Sequence, residues 1–157
     1  MSKSLLIIGA GGHGRVVKEV AEALGYEKIA FLDDNSVEAI GKIANSKSFV
    51  QDYQAAFVGI GNNKFRNELL QRLEQEGYEI PVLLHPTAYI SKTAIIGSGT
   101  VVEPKAIVNA NSRVGLGCII SVGAIVDHDV VLEDCVHVNA GAICKAGSFV
   151  AKETKLE

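Results

Sequence analysis

Several broad classes are excluded by what this chain lacks. Its three cysteines, Cys118, Cys135 and Cys144, are odd in number and show no CxxC spacing. Neither a disulfide framework nor a zinc knuckle fits that pattern, and the expected setting is the cytoplasm. Basic excess is missing too: 15 Lys and Arg stand against 18 Asp and Glu, a formal net charge of -3, with no long basic run. Nucleic acid is therefore not the expected partner. Nor is there a long apolar run near the start, where Leu5-Leu6-Ile7-Ile8 gives way at once to glycines. Four residues are too few for a signal-peptide core or a membrane span, so no membrane insertion is expected.

What is present is a register. From Leu84 onward a large apolar residue falls every six positions, at Leu84, Ile90, Ile96, Val102, Val108, Val114, Ile120, Val126, Leu132, Val138, Cys144 and Val150. With apolar residues at 48% of the chain, twelve consecutive hits arise by chance in roughly one register in several thousand. The fifth residue of each unit is usually small, as at Ala88, Ala94, Ala106, Ser112, Cys118 and Ala124. A six-residue period fits one short strand plus a turn, and three units make one triangular coil of a parallel β-helix. The inward phase accounts for Cys118 and Cys144 as core filler.

Before residue 84 the grammar differs. Leu5 to Ile8 reads as a strand, His13 to Leu24 as a helix stopped by Gly25, and Ile29 to Leu32 as a second strand. Residues 36 to 54 read as loop and short strand. Ala55 to Ile60 reads as a further strand, Asn63 to Glu76 as a helix with Phe65, Leu69, Leu70 and Leu73 inward, and Ile80 to Leu84 as the last strand. The expectation is a small Rossmann-like α/β domain with a parallel sheet over residues 1–83, followed by the β-helix over 84–157.

Gly9-Ala10-Gly11-Gly12-His13-Gly14 matches GxGxxG between a strand and a helix, the context in which glycines let a backbone approach a pyrophosphate. Asp33 lies nineteen residues after Gly14, where a carboxylate can accept from a ribose or a uracil imide. The motif alone does not separate NAD from a nucleotide sugar. Gly59-Ile60-Gly61-Asn62-Asn63 emerges at the same edge of the sheet, with Asn62 or Asn63 as a helix N-cap. In the repeat, His128 stands off the inward phase between Asp127 and Asp129, as a general base requires. A solvated turn histidine fits the same pattern. His85, His128 and His137 lack a spacing that supports a metal site.

The order of these motifs, with Phe31-Leu32-Asp33-Asp34 and His137-Val138-Asn139-Ala140-Gly141-Ala142 among them, resembles bacterial sugar acyltransferases of the sialic-acid O-acetyltransferase type. Their relatives are the UDP-amino-sugar N-acetyltransferases of the bacillosamine pathway. The resemblance implies a left-handed β-helix, a homotrimer with active sites between prisms, and acetyl-CoA as co-substrate without a metal. It implies that Gly11, Gly12, His13, Asp33, Asp34 and Gly61 hold a UDP-sugar, and that His128 is the base, made more basic by Asp129. His137 would contact acetyl-CoA, with a backbone N–H that repeat phase puts at Ala146 and the Ala-Gly pair puts at Gly147. The family usually continues for more coils beyond His137, so an incomplete coenzyme groove is expected. The alternatives are sialic-acid O-acetylation, NAD-dependent oxidoreduction, and a non-catalytic nucleotide-sugar-binding trimer.

Overall fold

Residues 3–157 of a computed structural model are described, and the chain divides between Pro81 and Val82 into two units. In the first, β1 (Lys3–Ile8) lies between β2 (Tyr26–Leu32) and β4 (Ala55–Val58), with β3 (Ala39–Gly41) outside β2. Every pairing is parallel. Leu5, Leu6, Ile7 and Ile8 are all fully buried. Successive side chains of a strand face opposite ways, so the sheet is covered on both faces, which is why the run is unbroken rather than alternating. Helix α1 (Gly12–Ala23) buries Val17, Val20 and Ala21, and Gly25 ends it with φ +91°.

Three expectations need correcting. β2 begins at Tyr26, three residues before Ile29. In α2 (Asn63–Gln75), Leu69, Leu70 and Leu73 are buried as expected, but Phe65 is 40% exposed and Arg66 takes the inward place at 1%. The segment Ile80 to Leu84 adds no strand to this sheet. Only an isolated bridge joins Ala55 to Glu79, while β5 (Leu83–Leu84) pairs with β8 (Val101–Val102) in the second unit. Pro81 has no N–H to donate to a ladder, which ends any pairing there.

The second unit is built from two-residue strands at six-residue spacing, from β5 to β17 (Lys155–Leu156). Each pairs in parallel with the strand eighteen residues away, giving three sheets that wrap a common core. Val102, Val108, Val114, Ile120, Val126, Leu132 and Val138 are buried inside it. Each such side chain contributes about 1.5–3 kcal/mol on burial, so the repeat itself supplies the driving force. Leu156 continues the inward phase one unit beyond Val150, where Val138 is its register partner.

The corners follow a rule of their own. The third residue after each inward position from Ile96 to Val150 is left-handed, with φ between 57° and 77°. Glycine fills that place at 99, 117, 123, 141 and 147, while Lys105, Asn111, Asp129, Cys135 and Glu153 fill the others. Asn and Asp tolerate this conformation better than most side chains, which fits Asp129 to its corner. Cys135 is buried there as fully as Cys118 and Cys144. Among the described residues no helix is long and apolar enough to cross a membrane.

Candidate active site

In the first unit, the candidate nucleotide residues gather at the carboxyl ends of three adjacent parallel strands. Gly11, Gly12 and His13 follow β1, Asp33 and Asp34 follow β2, and Gly61 follows β4. Gly11 caps α1 with an extended backbone and no side-chain hydrogen bond, so the first turn directs peptide N–H groups outward. A Cβ on Gly11, Gly12 or Gly61 would meet nothing within 4 Å, which leaves room for a ligand against the backbone. By contrast, a Cβ on Gly14 would lie 1.9 Å from the Gly9 carbonyl oxygen, and one on Gly59 would lie 2.8 Å from the Gly14 Cα. Those two glycines serve close backbone packing.

Asp33 braces the first loop. Its Oδ2 accepts the Ala10 N–H at 2.8 Å, and its Oδ1 accepts the N–H groups of Asn35 and Ser36. The Ala10 bond, followed by that from Asn35, holds its carboxyl below the ordinary 3.8. Its stabilising effect is thus fully present above 3.8 and is lost as pH falls through the lowered value. Asp33→Asn is expected to lower the thermal midpoint at pH 7 and to flatten its decline in acid. Parallel midpoint curves for the two proteins between pH 7 and pH 2 would remove this role. Asp34 Oδ1 accepts the Ile43 N–H, tying the same edge to the following segment.

The second loop is built around Arg66, which helical spacing alone did not identify. Its guanidinium donates to the carbonyls of Ile60 and Gly61 and, at 2.7 Å, to Asn63 Oδ1. Asn62 is the N-cap, accepting the Phe65 N–H. The carbonyls of Ile60 and Gly61 need a donor, and Arg66 supplies it from the inner face where phenylalanine was expected.

In the second unit, Asp127, His128 and Asp129 form the corner between β12 (Ile125–Val126) and β13 (Val131–Leu132). His128 is 54% exposed, and its Nδ1 lies 2.7 Å from Asp129 Oδ2. An ionised carboxylate only accepts, so Nδ1 carries the proton and Nε2 presents the basic lone pair. The bond to Asp129 is the main cause that raises the imidazole above its ordinary 6.5, and the charges of Asp127 and Asp129 add to it.

Ala146 and Gly147 occupy the same corner one coil further on. The Gly147 N–H donates to the His128 carbonyl at 3.0 Å, whereas the Ala146 N–H makes no hydrogen bond among the described residues. His137 opens β14 (His137–Val138) in a different sheet, so one prism does not bring it to His128. Its Nε2 lies 3.0 Å from Ser121 Oγ. One coil before Ser121, buried Glu103 accepts the Val122 N–H, and burial pushes its carboxyl up to about 7. Ser121 and Glu103 escaped the sequence reading; the eighteen-residue spacing sets Ile119 and Val101 level with His137 and puts Ser121 and Glu103 two residues further on, level with Asn139. His85 is engaged locally, its Nδ1 accepting the Thr87 N–H. No group of His, Cys, Asp and Glu among the described residues could hold a metal ion.

Known proteins resemble this chain over most of its length. A family model described as the PglD N-terminal domain matches residues 4–73. The UDP-N-acetylbacillosamine N-acetyltransferase of Bacillus subtilis (strain 168) is 33% identical over 111 residues, 64% of this chain and 51% of that protein. The chain thus spans about half the length of this curated relative. The acetyltransferase domain of PglB from Neisseria gonorrhoeae FA1090, solved with acetyl coenzyme A, has a TM-score of 0.86 at 36% identity, covering 99% of this chain and 85% of that one. A GDP-perosamine N-acetyltransferase from Caulobacter crescentus, solved as a mutant with CoA and GDP-perosamine, has a TM-score of 0.77 at 25% identity, covering 97% and 90%. The solenoid is accordingly a left-handed parallel β-helix.

Proposed function

This chain belongs to the bacterial sugar N-acetyltransferase family, and on that premise we propose that it moves an acetyl group from acetyl-CoA to the amine of a UDP-4-amino-sugar. The observation that carries the reading is the His128 Nδ1 to Asp129 Oδ2 bond, which leaves Nε2 basic and exposed at a solenoid corner. An amine rather than a hydroxyl is favoured because the relatives are N-acetyltransferases of amino sugars.

In this reading the loops of the first unit hold the nucleotide sugar through Gly11, Gly12, His13, Asp33, Asp34 and Gly61. His137 and the Ala146 N–H contact acetyl-CoA, since the Gly147 N–H is already engaged. The sugar nitrogen attacks the thioester carbon, the new C–N bond forms and the C–S bond breaks. The amine proton passes to His128 Nε2 and from the imidazolium to the departing thiolate. Two bound nucleotide handles hold amine and thioester together, and that positioning supplies much of the rate. A covalent cysteine route has little support, because all three thiols are buried and burial raises that of Cys144. A homotrimer in the cytoplasm completes the proposal. The separation of His128 from His137 on one prism supports it, since a second copy can supply the other half of an acetyl-CoA site.

The test is a thiol-release assay with acetyl-CoA and a panel of UDP-4-amino-sugars and sialic acids. CoA release is expected only with the amino sugars. Release with sialic acids instead moves the acceptor from amine to hydroxyl. Tight NAD(H) binding without UDP binding, or no release with any acceptor, overturns the proposal.

A further inference from the structure

Resting on that acetyltransferase reading, we propose that Asn109 is a positioning residue for the His128 base, acting through Asp127. Asn109 follows β9 (Ile107–Val108), which pairs in parallel with β12 so that Val108 meets Val126. The register therefore sets Asn109 beside Asp127, one coil apart. Its Nδ2 donates to Asp127 Oδ1 at 3.0 Å, and the same oxygen accepts the His128 N–H at 2.8 Å. One carboxylate oxygen thus joins the side chain of the preceding coil to the backbone of the base.

The rest of the corner is fixed by the same neighbours. Ser112 Oγ donates to the Asp127 carbonyl at 2.6 Å, and the Asp129 N–H donates to the Ala110 carbonyl at 2.9 Å. From the other side the Gly147 N–H holds the His128 carbonyl. Residues 127 to 129 are therefore strapped to both adjoining coils, and the imidazole has only its own side-chain torsions left. Asp129 fixes those through Nδ1. Of these straps, Asn109 is the one that acts on a carboxylate, and its bond is the first cause holding Asp127 below its ordinary 3.8. It keeps a second negative charge oriented near the imidazole. The charged groups around His128 are Asp127 and Asp129 on its own turn and, at the register place of Asp127 in the following coil, Lys145. The preceding coil contributes Asn109, Ala110 and Ser112, none of them charged.

A general base must be held within hydrogen-bond reach of the proton it takes, and small misplacements are costly. Asn109→Ala is therefore expected to lower kcat for CoA release roughly tenfold while both KM values stay within about twofold. Asn109→Asp keeps the shape but replaces the donor with a second carboxylate. It is expected to raise the titration midpoint of His128 by about half a unit or more. Because the base acts unprotonated, the acid limb of kcat/KM moves to higher pH with it. The midpoint is read by NMR of the imidazole, identified as the resonance missing from His128→Ala, and circular dichroism checks that each variant is folded. A kcat within twofold of the parent in folded Asn109→Ala overturns the proposal, as does an unmoved His128 midpoint in Asn109→Asp. If the parent protein releases no CoA with any acceptor, the acetyltransferase reading fails, whereas an active parent with an equally active Asn109→Ala overturns only the role of Asn109.

Discussion

His128→Ala is expected to reduce CoA release roughly 10³-fold, within the range that one general base contributes, and to leave UDP-sugar binding unchanged. The candidate nucleotide contacts lie in the first unit and His128 in the second, so the split between turnover and binding follows from the chain's organisation. The pH profile carries a sign. The imidazole is raised above 6.5 chiefly by its bond to Asp129, and only the neutral form can accept a proton from the amine. Turnover should therefore climb through a midpoint above 6.5, and Asp129→Asn should move that midpoint down while lowering the plateau. The pair's effect on stability runs the other way. A raised histidine contributes fully below its unfolded value, and the contribution is lost as pH rises through the folded one. The conditions that free the base are those in which its pairing helps the fold least. Isothermal titration with UDP, run beside the thiol assay, separates the outcomes. Equal turnover in parent and variant removes His128 from the reaction, and loss of UDP binding shows that the substitution has damaged more than the base.

The solenoid was legible because each rung declares its own inward residue, and a local pattern repeated twelve times needs no knowledge of what packs beside it. Contacts between coils were another matter. Asn109 with Asp127, Gly147 with His128, and Ser121 with His137 are separated by sixteen to nineteen residues. They become neighbours only once three rungs are known to close one turn. The same spacing, applied to His128 in advance, leads to residue 110 on one side and residue 146 on the other, which are the two coils that strap it. Arg66 was missed for a different reason. Helical periodicity identifies the inner stripe, but the polarity of what that stripe faces is set by the carbonyls of Ile60 and Gly61. The run from Ile80 to Leu84 was assigned to the wrong sheet because apolar composition marks a strand without marking its partner. Leu83 and Leu84 already belong to the first rung of the β-helix.

Of the glycines in the first loop, Gly14 is expected to be the least replaceable for folding and Gly11 and Gly12 the least replaceable for binding. An alanine methyl at Gly14 would lie 1.9 Å from the Gly9 carbonyl oxygen and 2.8 Å from its carbon. Both are backbone atoms. Gly9 is itself held by donating to the Leu32 carbonyl at 2.7 Å, and the Gly59 backbone packs close on the far side. No flexible side chain can give way, so Gly14→Ala should cost about 3 kcal/mol or more, at the severe end of overpacking. At Gly11 and Gly12 the same methyl meets nothing within 4 Å, and neither has a left-handed φ. Alanine there should leave the unfolding midpoint unchanged, or raise it slightly at Gly12 in the first turn of α1. It would nonetheless occupy the space through which a pyrophosphate reaches the helix N–H groups. UDP affinity is therefore expected to fall about tenfold, or about 1.4 kcal/mol, in folded proteins. Thermal unfolding and calorimetric titration of the three variants distinguish the two roles. Should Gly11→Ala and Gly12→Ala both bind UDP as the parent does, the loop packs helix on strand and the nucleotide lies elsewhere.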